Sequence, residues 1–247
     1  MAGLAIARDG PLLRLTLERP ERRNALDAGL VGELTQAFAA AGEARAVVLR
    51  GAGPSFSAGA DLDEMRAAPA RTEAERLADA REWRALLEAV DGCPAPVVAG
   101  VHGACLGGAC GLLACCDVVV AERAARFGFT EVKVGLVPAV VSPYVVARIG
   151  PGNARALFVT GERFGAERAL QVGLVTEIVD ELDAGVERAV AEILGAGPAA
   201  ARIAKRLARE PAGAEETVRL IAGLRAGEEA QEGLQAFRER RPPRWRG

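Results

Sequence analysis

The run Ala99-Gly100-Val101-His102-Gly103-Ala104-Cys105-Leu106-Gly107-Gly108-Ala109-Cys110-Gly111 carries an apolar strand through glycines into an apolar helix. A glycine pair at a helix start removes side chains from the approach and leaves backbone N–H groups without intrahelical partners. The helix dipole adds its positive end, so an anion is favoured there. A second stretch of bare backbone, Gly51 to Asp61, follows another core strand. Neither stretch has the glycine spacing of a dinucleotide fingerprint or a P-loop, and Pro54 removes an N–H where a phosphate cradle would need one. On residue types alone, the small residues at both places serve equally well for close strand-to-helix packing. Glu131, near a strand end, is either a candidate acid/base or a solvated charge facing Arg126 or Lys133.

Other reactive side chains point elsewhere. Cys93, Cys105, Cys110, Cys115 and Cys116 crowd one apolar region, are odd in number and form no CxxC pair, which reads as reduced, buried thiols. The single histidine, His102, lacks the partners a zinc site needs and reads as a strand-end side chain bonded to backbone; no metal is expected. Net charge is −2, yet residues 201–247 hold 11 Lys+Arg against 7 Asp+Glu. That basic excess suits a phosphorylated ligand or nucleic acid, or a set of solvated helix faces.

Strands alternating with helices position these segments. Gly3–Arg8 and Leu12–Leu17 form a hairpin around Asp9-Gly10-Pro11, Asp27 caps a helix to about Ala41, and Ala46–Leu49 is a buried strand. Thr72-Glu73-Ala74-Glu75 is a capping box opening a helix to about Val90, and Val97–Val101 is the strand feeding the glycine pair. Asp117–Ala121 and Val175–Val179 read as strands, Phe127–Val132 as extended chain, and Ser142–Ile149 as a helix stopping before Gly150-Pro151-Gly152. Four further helices, Asp183–Leu194, Pro198–Arg209, Glu215–Gly223 and Glu228–Arg240, close the chain. The fold class is therefore α/β with a helical C-terminal region, divided at 1–190 and 191–247. The N-terminus carries no secretory leader and no apolar run approaches the ~20 residues of a membrane span, so a cytoplasmic protein without membrane association is expected.

Taken together, several segments resemble the crotonase, or enoyl-CoA hydratase/isomerase, family over essentially the whole chain. Glu18-Arg19-Pro20-Glu21-Arg22-Arg23-Asn24-Ala25-Leu26 is similar to its first loop, Ser57-Ala58-Gly59-Ala60-Asp61-Leu62 to its first oxyanion segment, and Gly103–Asp117 to its second. Phe127–Pro138 resembles the segment carrying its catalytic carboxylate, and Glu232–Trp245 its closing helix. The resemblance implies a spiral of ββα turns, packing in trimers or hexamers through the C-terminal helices, and a coenzyme A thioester as substrate with no separate cofactor. It implies that the backbone N–H groups of Ala58 and Gly108 hold a thioester enolate oxygen and that Glu131 moves the proton. Donors fixed where charge develops lower the barrier, one such donor by roughly 3 kcal/mol. Contacts to the coenzyme and acyl group are implied for Arg22, Ala25, Ala60, Asp61, Leu62, Gly107, Pro138, Ser142 and Tyr144, and for Phe237 and Arg240 of the last helix.

One position departs from the family pattern. Two-carboxylate hydratases carry a second Glu three residues after the oxyanion glycine, where this chain has Gly111. That favours double-bond isomerisation, which needs one base. The Gly135–Tyr144 loop, however, is similar to that of bacterial hydratases for branched or carboxylated enoyl-CoAs of the methylglutaconyl-CoA type. The leading expectation is an enoyl-CoA hydratase, with a Δ3-Δ2-enoyl-CoA isomerase next. A non-catalytic acyl-CoA or RNA-binding protein is the reading of another class; a pI near 5.7, few aromatics and no RNA-binding signature argue against nucleic acid.

Overall fold

The computed structural model describes residues 3–246. Strands β1 (Leu4–Asp9) and β2 (Leu12–Leu17) pair antiparallel as expected, with Leu4 opposite Leu17. Helix α1 (Ala28–Ala39) begins at Asp27, whose side chain accepts the Leu30 N–H, and buries Leu30, Leu34 and Phe38. Strand β3 (Ala46–Gly51) adds in parallel to β2. The short helix α2 (Leu62–Ala67) follows, then α3 (Glu73–Asp91), whose capping box is complete: Thr72 and Glu75 satisfy each other's backbone N–H.

Strand β4 (Val97–Val101) joins β3 in parallel, Val47 opposite Val97. After it come the short strand β5 (Ala104–Leu106), helix α4 (Gly108–Ala114), strand β6 (Val118–Glu122) and strand β7 (Arg126–Gly128). Helix α5 runs Ser142–Thr160, followed by β8 (Phe164–Gly165), α6 (Ala166–Val172) and β9 (Glu177–Val179). Helices α7 (Leu182–Gly195), α8 (Pro198–Arg209), α9 (Ala214–Ala226) and α10 (Glu228–Glu239) end the chain. The main sheet has the order β1-β2-β3-β4-β6-β9, and a small sheet has the order β5-β7-β8. The continuous apolar runs of β3 and β4 have a direct cause, since a parallel strand covered on both faces needs apolar side chains on both. Val47, Leu49, Val97 and Ala99 pack into the main core with α1 and α3, while Val48 and Val98 face Val186 and Val190 of α7.

Three expectations need correction. Phe127–Val132 is not continuously extended: after β7 the chain tightens into a 3-10 turn over Thr130–Val134. The helix expected to stop at Ile149 continues beyond a kink at Gly150 (φ 76, ψ 156), because Pro151 restarts a helical turn where its missing N–H is harmless. The boundary at 190 falls inside α7, a helix that lies on the main sheet, so the helical tail begins at α8. That tail is tied to the core by its basic residues. Arg202 donates to Gly42 and Ala44 carbonyls, Lys205 to Ala95 O (3.1 Å) and Asp117 (2.7 Å), and Arg209 reaches Asp91. Among the described residues, no helix is long and apolar enough to cross a membrane.

Candidate active site

Strands β3 and β4 lie side by side and point the same way, so both glycine-bearing loops leave the sheet at one edge, outside the carboxyl ends of the strands. Beyond that edge the two loops pair again. Phe56 N donates to His102 O (2.9 Å), Ser57 N to Ala104 O (3.0 Å), and Leu106 N returns a bond to Ser57 O (3.1 Å). Parallel pairing of Ser57 with Cys105 brings Gly59, the residue before Ala60, against Leu106 and Gly107, the residues before Gly108. Gly59 lets this approach happen: its φ is +91, and a Cβ there would lie 2.6 Å from Leu106 O. Gly107 turns the chain from β5 into α4 at φ +55, ψ −130, where a side chain would be strained.

Ala58 was expected to supply one oxyanion donor, but its N–H already donates to Arg23 O at 2.9 Å. Among the described residues, no acceptor faces the Ala60 N–H, because the neighbouring ladder uses Leu26 N to Gly59 O and Asp61 N to Leu26 O and skips it. Gly108 N lies in the first turn of α4, where no intrahelical acceptor exists. The free pair is therefore Ala60 and Gly108, two half-buried amides on adjacent segments. The strand-side amide is set by a polar network. Asn24, fully buried at φ 53, accepts from Arg19 N and donates to Ala52 O and Ser55 O, each within 2.9 Å. Ser57 Oγ donates to Asn24 O (2.7 Å) and accepts from Gly59 N (3.1 Å), which links that network to the residue before Ala60.

Glu131 sits on the 3-10 turn after β7, behind Phe129, whose ring packs edge-on against Phe158 at 5.1 Å. Gly107 N donates to Gly128 O (2.8 Å), so the turn and the oxyanion segment are joined. The carboxylate lies against that segment: a methyl group on Gly107 would be 3.4 Å from Glu131 Oε1. Its Oε2 is buried and has no partner among the described residues. Burial pushes the carboxyl above the usual glutamate range, opposed only by the residue's own N–H. A sheltered carboxyl poised to take and return a proton beside two free amide donors suits general acid/base work on a carbonyl compound.

Gly111, the position where two-carboxylate hydratases carry their second Glu, is not an empty hole. A Cβ on Gly111 would clash with Val141, lying 2.6 Å from its Cβ, so an apolar side chain fills that place. Val141 precedes α5 and is 4% exposed. A Cβ on Gly108 would meet Trp83 of α3, 2.8 Å from Cζ3 and 2.9 Å from Cη2. Neither Trp83 nor Val141 nor Asn24 carried a sequence signal for the site beyond Asn24's tolerance of left-handed backbone; their roles follow from distant segments meeting.

The remaining candidates divide. Arg22, Ala25, Ala60 and Leu62 come together around the Leu26–Ala60 bridge, with Arg22 exposed and paired to Asp63 (2.7 Å). Asp61 belongs to the same loop but is 7% exposed and occupied, capping α2 at Asp63 N and facing Arg19. Pro138 is buried, and the Ser142 hydroxyl is taken by Ala139 O (2.8 Å), which leaves its acceptor lone pair alone for any ligand. Tyr144 packs on the core, where burial pushes its hydroxyl up, with Cys115, Glu88 and Asp91 adding to the rise. Phe237, 84% exposed, and Arg240, the left-handed cap of α10, make no described side-chain hydrogen bond to this face. Arg241 and Arg244 instead bind Glu232, which holds that carboxyl at about 2. The five cysteines are free and buried, and His102 Nε2 lies 2.8 Å from Gly53 O.

Comparison with known proteins agrees with this arrangement. Residues 8–247 match the family described as enoyl-CoA hydratase/isomerase. The chain is 37% identical over 243 residues to a Rhodobacter capsulatus protein named "Probable enoyl-CoA hydratase", covering 94% of this chain and 93% of that one. It is 34% identical to the 2,3-dehydroadipyl-CoA hydratase of Escherichia coli, with both chains fully covered. The crystal structure of an enoyl-CoA hydratase from Shewanella pealeana superposes with a TM-score of 0.91 at 35% identity, covering 98% of this chain and 96% of that one. A spiral α/β core, a helix-start amide pair and a sheltered glutamate thus coincide with family-wide similarity, and the chain belongs to the enoyl-CoA hydratase/isomerase, or crotonase, family of enzymes.

Proposed function

We propose that this enzyme adds water to the double bond of a 2-enoyl-CoA, using Glu131 as its single acid/base. The observation that carries the reading is the orphaned, buried Oε2 of Glu131 beside the Gly107–Gly108 turn. An unpartnered carboxylate oxygen is suited to hold a water molecule. As the water oxygen bonds to C3, Glu131 takes one of its protons and the π electrons move onto the thioester oxygen. The Ala60 and Gly108 N–H groups stabilise that enolate oxygen. C2 then takes the proton from Glu131, which regenerates the carboxylate. The names of the hydratase relatives support water addition.

A second reading is favoured by Val141. With the Val141 side chain against Gly111, no second carboxylate stands at that position. Glu131 would then remove a proton from C2 of a 3-enoyl-CoA and return it to C4. Absorbance of the conjugated thioester separates the two. Loss of the signal from crotonyl-CoA is expected; its appearance from a 3-enoyl-CoA, with crotonyl-CoA untouched, replaces hydration by isomerisation. We further propose assembly as a trimer or hexamer, supported by the uncovered apolar groove of Leu207, Val218, Ile221 and Leu224, with Phe237 and Arg240 meeting the coenzyme across the interface.

A further inference from the structure

We propose that Trp83 and Val141 form an apolar wall for the acyl group, so that the site selects thioesters with an uncharged acyl chain over those ending in a carboxylate. The inference rests on the acyl-CoA reading above and names which acyl groups that site takes. Gly108 and Gly111 are one helical step of three residues apart and share a face of α4. Trp83 covers the first and Val141 the second, at the distances that forbid a Cβ on either. The benzo ring of Trp83 therefore borders the amide that would hold the thioester oxygen, and a planar, conjugated enoyl group has an aromatic surface within reach.

Among the described residues, three cations close in sequence to Trp83 and Glu131 are engaged elsewhere. Arg84, on the same helix as Trp83, is exposed and paired with Glu88 (2.7 Å), and Arg71 is paired with Asp79. Lys133, two residues from Glu131, lays its side chain against Gly161. Glu131 itself is influenced by burial and by no neighbouring charge. A carboxylate entering this site would lose water without a partner and would face the like charge of Glu131.

Binding tests this without depending on turnover. In the Trp245→Phe background Trp83 is the remaining indole, so its emission reports on the wall. Titration with butyryl-CoA is expected to shift that emission saturably, with glutaryl-CoA binding at least ~tenfold more weakly. Trp83→Leu should lower kcat/KM for crotonyl-CoA by about tenfold and narrow the preference over glutaconyl-CoA, whereas Trp83→Phe keeps most of it. Equal binding of butyryl-CoA and glutaryl-CoA, or an emission unmoved by either, overturns the proposal. If butyryl-CoA binds selectively and no enoyl-CoA is hydrated, the wall stands and the hydration reading falls.

Discussion

The two segments that meet at the site are held by different physics. Ser57–Ala60 is positioned by hydrogen bonds, through buried Asn24, the Ser57 hydroxyl and the Arg19–Asp61 contact. Gly107–Gly111 is positioned by packing, with the absence of side chains letting Glu131, Trp83 and Val141 close in. A polar network fixes direction, because a buried donor left unpaired is costly. Packed glycines fix distance, because any added carbon collides. The strand side therefore aims its amide, while the helix side sets which groups can stand next to it.

The largest test asks whether the meeting point is catalytic at all. Glu131→Gln should lower kcat by about 10²–10⁴-fold with butyryl-CoA binding retained; unchanged kcat would dissolve the comparison. Ala60→Pro deletes the free N–H and should lower kcat about 10²–10³-fold without unfolding, since that N–H supports no bond in the fold. Ala58→Pro should instead lower the melting temperature by removing the bond to Arg23 O; the reverse pattern would return the donor role to Ala58.

On the packed side, Gly111→Glu should destabilise by about 3 kcal/mol in denaturant unfolding, because its Cβ meets Val141. Adding Val141→Gly should recover much of that loss and raise hydration relative to isomerisation. On the polar side, Asn24→Ala should cost about 2 kcal/mol and lower kcat as Ala60 loses its support. The smallest effect concerns pH. Burial raises the Glu131 carboxyl in the folded state, so the folded protein binds its proton more tightly than the unfolded chain. Stability then falls as pH rises from the unfolded to the folded value, and Glu131→Gln should be slightly more stable than the parent at neutral pH. That advantage should vanish at acid pH, in thermal melts, and kcat/KM should decline with acidification through a value above the usual glutamate range.

Much of the fold was legible because its signals are local. Asp27 and Thr72 announced helix starts through bonds to residues three positions on, and Val97–Val101 announced a buried strand by being apolar throughout. The kink at Gly150 was less so, since glycine followed by proline reads equally as an end or as a restart. The basic tail was legible as charge, yet Arg202, Lys205 and Arg209 turn inward to carbonyls contributed by segments more than a hundred residues earlier.

At the site itself, the residue types determined that amides at a helix start and a glutamate in a strand-end segment were available, because glycine spacing and motif context are properties of the chain alone. Which amide was free was decided by tertiary structure, since Ala58 and Ala60 differ only in whether Arg23 O lies opposite. Tertiary structure also decided what stands at Gly111. The sequence shows an absent carboxylate there; the fold brings Val141 from thirty residues away to fill the space, and no local pattern encodes that distance.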